Sequence, residues 1–255
     1  MTYLRYAPDI ETPAPDEQTS IDGIIQGMTQ QSQVVEKRQH HAVRASHAKS
    51  SACVVGELDI PEGLPPELAQ GLFARPGTHK VAVRFAQGPG ETLGDRVSTH
   101  RGMSIKVFGV TGEKLPGHDV DTQDFVLATG TTFPSGTAAG FLRDGTVIGK
   151  ATGLPEGVKS AVAATARNLN RMLHAFGTES AMADFLGHPY SHPLADSYFS
   201  QAPMRFATTS PSSARSRLRR RSGTWPNGGS TRTVTRTVSA MQPRRSSATT
   251  KWSTN

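Results

Sequence analysis

Apolar and polar residues alternate in several short segments in the middle of the chain. One of them places Val81, Val83 and Phe85 on one face of an extended strand and Arg84 on the other. Turn-forming glycine and proline residues separate these segments. The pattern predicts an antiparallel sheet or barrel rather than alternating parallel units. The segments with strand character are 42–60, 79–87, 103–111 and 124–128.

A helical period appears on both sides of this β region. Between 16 and 39, Ile21, Ile25 and Met28 recur on one face of a predicted helix. A longer helix is predicted over 157–176, where Gly177 ends the pattern. Its apolar residues face one way: Val158, Val162, Ala166, Leu169, Leu173 and Phe176. Two shorter helices are predicted, one through Leu68, Leu72 and Phe73 and one over Glu179–Leu186 with Thr178 as N-cap.

Composition narrows the class of protein. The chain has 255 residues and is 35% hydrophobic, which suits one large or two small domains. Its single cysteine, Cys53, excludes an internal disulfide and a multi-cysteine zinc site. The start of the chain lacks the apolar core of a signal peptide, and no run is long enough to cross a membrane. We therefore expect a cytoplasmic protein without a membrane partner, and the sequence leaves self-association open.

The net charge of +7 is concentrated at the end of the chain. Residues 207–255 contain nine arginines, Lys251 and no acidic residue, so 1–206 carry −3. The same segment has twenty Ser or Thr residues and few large aliphatic ones, and we predict that it is disordered. The alternative function is a non-enzymatic one, binding of nucleic acid by this tail. We do not favour it, because the tail has only Trp225 and Trp252 for stacking on bases.

These changes in composition, charge and hydrophobic period divide the chain into three parts. They are an N-terminal arm and helix (1–40), a central β domain with helices (41–206) and a basic tail (207–255). In the central domain, His47 lies in a segment that we interpret as a strand. From spacing alone, a half-buried histidine that is hydrogen-bonded to a neighbour explains it better than a catalytic one does. Arg84 is either part of a structural ion pair or part of an anion site, since a lone buried charge is costly.

Other motifs are weaker. Gly88-Pro89-Gly90 lacks the lysine and hydroxyl of a phosphate-binding loop. The remaining histidines have no zinc-ligand spacing, and there is no nucleophile elbow. We therefore predict no metal ion bound directly by protein side chains from spacing alone.

Four motifs in order resemble the haem-dependent catalase family, in particular its short, catalase-related members. The resemblance covers about residues 40–206. It implies an α+β fold, in which an antiparallel β-barrel of the catalase type with flanking helices holds haem b. The motifs are Arg44-x-x-His47-Ala48-Lys49, Val83-Arg84-Phe85, Arg101-Gly102-x-x-x-Lys106-Val107-Phe108 and Phe133-Pro134-Ser135.

The resemblance also implies roles for single residues. His47 is similar to the distal histidine that moves a proton between the two oxygens of a peroxide. Arg44 and Arg84 resemble the arginines that neutralise the haem propionates, and Phe133 resembles an aromatic residue near the haem face. The family pairs the histidine with an asparagine. Here that position falls on Val120 or Asp121, which makes Asp121 the second catalytic candidate.

Two departures from the family affect the expected function. Without the asparagine, we expect a peroxidase-like reaction on hydrogen peroxide or organic hydroperoxides rather than rapid disproportionation. The family also binds iron through a late tyrosine, whereas no tyrosine follows Tyr198 here. We therefore expect weak haem binding or lost activity, and an inactive relative is a further alternative. Our hypothesis is that residues from about 207 are an out-of-frame translation, which the other two reading frames of the coding DNA would test.

Overall fold

The computed structural model describes most of the chain up to residue 201 and short strand segments beyond it. The described ranges are 4–5, 12–40, 43–66, 68–112, 114, 117–201, 209–210, 215–220, 232–240 and 249–254. In 4–5 and beyond 208, only the backbone is described.

The described elements combine four α-helices with strands of one main sheet. None of these helices is both long and apolar enough to cross a bilayer. In chain order the elements are β1 (Leu4–Arg5), α1 (Glu17–Gln39), β2 (Ser50–Ile60), a 3-10 helix (Gly71–Ala74), β3 (Gly77–Gln87), β4 (Arg101–Phe108), β5 (Thr122–Ala128), α2 (Ala138–Ala151), α3 (Glu156–Ala175), α4 (Ala181–Leu186), β6 (Ser197–Phe199), β7 (Thr209–Ser210), β8 (Arg215–Arg220), β9 (Arg232–Ala240) and β10 (Thr249–Thr254).

Strands β2 to β6 form an antiparallel half-barrel. Each strand pairs with the next one along the chain, and the segments β8, β9 and β10 continue the order from β6 back to β2. The inner face carries the core. Its fully buried members include Val83, Phe85, Met103, Val107 and Tyr198.

The predicted combination of helices with an antiparallel sheet is confirmed. The predicted faces of the strand over 79–87 are also confirmed, because Val81, Val83 and Phe85 are buried whereas Arg84 is only partly buried. Helix α2 was missed, since its glycines interrupt the apolar pattern. The predicted N-cap of α4 was wrong: the Oγ of Ser180, not Thr178, accepts the hydrogen bond from the N–H of Ala183.

The segment 44–49 is not a strand, contrary to the prediction. It is an irregular loop, and β2 begins only at Ser50. His47 itself has a φ of 54°, which is incompatible with an extended strand. Ala45, His47 and Lys49 therefore do not share a strand face. The reason is tertiary: this loop binds to the loop after β3 rather than to a neighbouring strand.

Short segments of the tail are described as extended backbone, and the disorder of 207–255 as a whole stays a prediction. The backbone of β8 pairs with β6 and β9, and β10 pairs with β2. Alternating Thr and Val residues in β9 have high strand propensity, which accounts for extended backbone in a segment without a hydrophobic period. The remainder of the predicted disordered segment lies outside the described residues.

Helices α3 and α4 pack through a glycine contact that places α4 beside the sheet. A Cβ atom at Gly187 would overlap the carbonyl oxygen of Ala163 and lie 2.9 Å from the Cβ of Ala166. Because backbone atoms cannot move aside at low cost, only glycine allows this approach.

We expect Gly187→Ala to lower the free energy of unfolding by about 1–3 kcal/mol, because overpacking forces the two helices apart. Chemical denaturation measures it. Gly157→Ala is the matched control in α3, where a Cβ would meet nothing within 4 Å. Equal stability of the two variants would contradict this role of Gly187.

Candidate active site

Hydrogen bonds to the backbone groups of His47 and Ala48 hold His47 in its conformation. Its N–H donates to the carbonyl of Gly88 at 2.9 Å, and the N–H of Ala48 donates to the carbonyl of Pro89 at 3.1 Å. The Nη2 of Arg84 donates to the carbonyl of His47 at 2.6 Å. These bonds stabilise a left-handed conformation that is uncommon for a residue other than glycine. The side chain is therefore presented from a fixed backbone.

The loop that receives His47 requires its glycines. A Cβ atom at Gly90 would overlap the carbonyl oxygen of Ala45, and one at Gly88 would overlap the ring of His100. Lys49 adds a further link, since its Nζ donates to the carbonyl of Leu93 at 2.8 Å. The Gly-Pro-Gly sequence thus has a structural purpose here, which is to let two loops approach each other closely.

The imidazole of His47 lies on the first residues of β4. A Cβ atom at Gly102 would be 2.7 Å from the Cε1 of His47 and 2.8 Å from its Nδ1. That Nδ1 atom is buried, and no described group forms a hydrogen bond with it. This nitrogen is therefore available to a polar ligand.

Burial lowers the pKa of His47, and the positive charges of Arg84 and Arg44 lower it further. The carbonyl of Gln87 acts in the opposite direction. The ring is therefore neutral at neutral pH and is able to accept a proton. Burial, followed by the charge of Arg44, also lowers the pKa of Arg84. Both arginines thus lie close enough to His47 to affect its charge.

A second histidine, His100, contacts His47. Its role was not predicted from the sequence. The two rings meet edge to face, with centroids 5.4 Å apart. His100 also stacks on Phe185 at 3.9 Å, and its Nδ1 lies 3.2 Å from the carbonyl of that residue. Burial lowers the pKa of His100 to about 3. The neutral, packed ring of His100 therefore supports the ring of His47.

A buried polar cluster anchors β4 next to this pair. Nη1 of Arg101 lies 2.6 Å from Oδ2 of Asp196, and both side chains are largely buried. His188 lies between Asp184 and Asp196, at 3.4 and 3.5 Å. Burial opposes the charge on His188, but bonds to both carboxylates outweigh it and raise the pKa of His188. The cluster fixes the start of β4, where Gly102 supports the His47 ring.

The outer face of the sheet extends from this site, and several of its described side chains are exposed. Arg84 pairs across the strands with Cys53 on one side and with Ser104 on the other, and Ser104 pairs with Val126. Val126 is 71% exposed. A row of small and apolar side chains beside a histidine and two cations offers a flat ligand with acidic groups a surface to rest on.

The structure brings together only some of the predicted site residues. Arg44, His47 and Arg84 form one cluster. Asp121 does not join it: it is exposed and precedes β5 at the far end of the sheet. Gly102 lies six residues along β4 from Phe108, which pairs with Thr122, so roughly 20 Å of strand separates Asp121 from the His47 ring.

Phe133 lies at the same end of the sheet as His47. It follows Ala128, whose partner across the strands is Gly102. Its ring packs against Phe141 of α2 at 5.3 Å and is 41% exposed. No described contact joins it to His47, so Phe133 is not part of the cluster.

The described tyrosines do not fit the role of an axial haem ligand. Tyr198 is fully buried in the core, its hydroxyl donates to the carbonyl of Pro193 at 2.8 Å, and burial raises its pKa. A ligand tyrosine must instead lose its proton. The hydroxyl of Tyr190 donates to the carbonyl of Arg96 at 2.8 Å. Tyr3 and Tyr6 lie outside the described residues. The described residues therefore fit the peroxide-facing side of a haem but do not supply its axial tyrosine.

A scan against protein-family models and a search of curated proteins gave no match to this chain.

We expect the protein to lose stability as the pH falls below 6.5, the ordinary pKa of histidine. The unfolded chain then takes up a proton at His100, whereas the folded chain does so only at about pH 3. At about 1.4 kcal/mol per pH unit, the loss from this group is roughly 2 kcal/mol at pH values near 5. His47 contributes in the same direction.

Urea denaturation at several pH values checks this. His100→Gln should flatten the dependence of stability on pH between about pH 3 and pH 6.5. His188, with a raised pKa, contributes a pH dependence only as the pH rises above 6.5, and Asp196, with a pKa lowered from 3.8, does so only as the pH falls below about that value. A His100→Gln variant with the wild-type slope would contradict the assignment.

Proposed function

We propose that this chain is a catalase-related haem protein that handles hydrogen peroxide or organic hydroperoxides and retains the peroxide-facing side of its site. The observation that carries the proposal is the His47 cluster. A neutral imidazole with an unpaired, buried Nδ1 lies over Gly102, with Arg84 bound to its carbonyl. The fold proposed with it is a barrel of the catalase type, since the half-barrel offers its outer face to a flat ligand.

His47 is the proposed proton acceptor. Cleavage of a peroxide O–O bond requires a proton to leave one oxygen and to reach the other, and a neutral imidazole suits both proton transfers near neutral pH. The lowered pKa keeps His47 in the form that accepts the first proton. The fixed backbone of 47 keeps the ring in place while the proton moves.

Arg84 and Arg44 are the proposed binding residues for acidic groups of the cofactor. Arginine binds a carboxylate through two parallel hydrogen bonds, and each arginine lowers the pKa of His47 by its charge. When bound, haem would supply the redox chemistry of the reaction. The described tyrosines do not fit as ligands of its iron. Asp121, far from His47, is not part of the proposed proton transfer.

The purified chain is expected to show little Soret absorbance, because the described part lacks a ligand tyrosine. A strong Soret band with a tyrosinate-type spectrum would contradict this assignment. Added haem then tests the function: peroxide consumption by the mixture should exceed that of free haem. The proposal fails if it does not.

His47→Gln should lower this haem-dependent rate by about a hundredfold, the usual contribution of a general base. His79→Gln is the control, because His79 lies on β3 with its Nδ1 3.1 Å from the carbonyl of Phe108, away from the cluster. Retention of the wild-type rate by His47→Gln would exclude His47 as the base.

Gly102→Ala tests whether the peroxide rate can be lowered without a large change in the free energy of unfolding. The added Cβ would displace the partly buried His47 ring, so we expect the rate to fall while the free energy of unfolding changes by less than about 1 kcal/mol. Gly88→Ala, which would meet the buried His100 ring, should instead cost about 1–3 kcal/mol. Peroxide assays and denaturation of both variants measure the two effects.

A further inference from the structure

Helix α3 presents its large apolar side chains to solvent. Its buried residues are the small or polar Ala163, Ala166 and Asn170. Amphipathic helices of single domains show the reverse arrangement. The exposed apolar side chains along α3 and at its C-cap are Val158 (46%), Val162 (49%), Leu169 (49%), Met172 (62%) and Phe176 (83%).

The exposed residues follow the spacing of a coiled-coil seam. With the exposed Thr165 they occur at steps of four and three residues in strict alternation, from 158 to 176. This is the narrow a/d pattern that pairs one helix with another, rather than the broader stripe of a helix that packs on a sheet. At 1.5 Å per residue the seam is about 27 Å long. No described part of this chain covers it.

We propose that α3 pairs antiparallel with α3 of a second copy of this chain around a two-fold axis. In this arrangement every large residue faces a smaller one. Phe176 of one copy faces Val158 of the other. In the same way Met172 faces Val162, and Leu169 faces Thr165. Each layer joins an a position to a d position, as antiparallel pairs require. The same patch therefore serves both subunits, as in an isologous dimer.

The dipole of α3 agrees with this direction. Antiparallel pairing aligns the positive N-terminus of one helix dipole with the negative C-terminus of the partner. Parallel pairing would place like ends of the two dipoles together.

A second copy fits the seam better than the tail of the same chain does. Residues 207–255 contain only four large aliphatic side chains and ten basic ones. They show no heptad pattern that would match the seam. A seam that is complementary to itself needs only another copy.

Sedimentation velocity over a concentration series tests the dimer. The wild type should sediment as a dimer, and Leu169→Glu should raise the dissociation constant by roughly a hundredfold, because an unpaired charge is buried twice in a symmetric seam. Ile25→Glu on α1 is the control, because Ile25 is also exposed (59%) but lies outside the seam. A wild type that stays monomeric, or a Leu169→Glu variant that stays dimeric while folded by circular dichroism, would overturn the proposal.

Cross-linking tests the direction of pairing. In a Cys53→Ser background, which removes the exposed native thiol, a copy with Val162→Cys should form a disulfide with a copy carrying Met172→Cys. Val162→Cys alone should not cross-link, because two-fold antiparallel pairing separates the two 162 positions by about 15 Å along the axis. Cross-linking of Val162→Cys with itself would indicate parallel pairing and overturn the antiparallel arrangement.

Discussion

The hydrogen bonds between the loop 44–49 and the loop after β3 decide the geometry on which the candidate site depends. They fix the N–H groups of His47 and Ala48, while Arg84 fixes the carbonyl of His47. Three backbone groups of one loop are thereby paired in a region without regular secondary structure. The left-handed conformation at His47 is retained because this pairing outweighs its local cost, of order 1–3 kcal/mol.

Two glycines make that pairing sterically allowed, and a second layer supports it. Gly88 leaves room for His100 and Gly90 leaves room for the backbone at Ala45. His100 in turn stacks on Phe185 of α4. The packing of α4 on α3 is thus transmitted through one aromatic contact to the histidine pair. The electrostatics follow from the same arrangement, because burial beside two arginines keeps His47 neutral.

Helix α3 contributes to the molecule in two different ways. Its small buried face lets α4 approach closely enough to support His100. Its large exposed face carries the heptad spacing that we assign to self-association. The two faces lie side by side on the helix, so pairing through the seam leaves the contact with α4 intact.

The sequence by itself determined the antiparallel sheet, its buried faces and most of the helices, because alternating and helical periods are local properties of the chain. It also brought Arg44 and His47 together, three residues apart, and named Arg84 as a cation of the same site. Only the tertiary structure decided that 44–49 is a loop, that His100 supports His47 and that Asp121 lies at the other end of the sheet. The physical reason is that these facts depend on contacts between residues that are far apart in the chain. Hydrogen bonds such as that from His47 to Gly88 leave no period in the sequence from which they could be predicted.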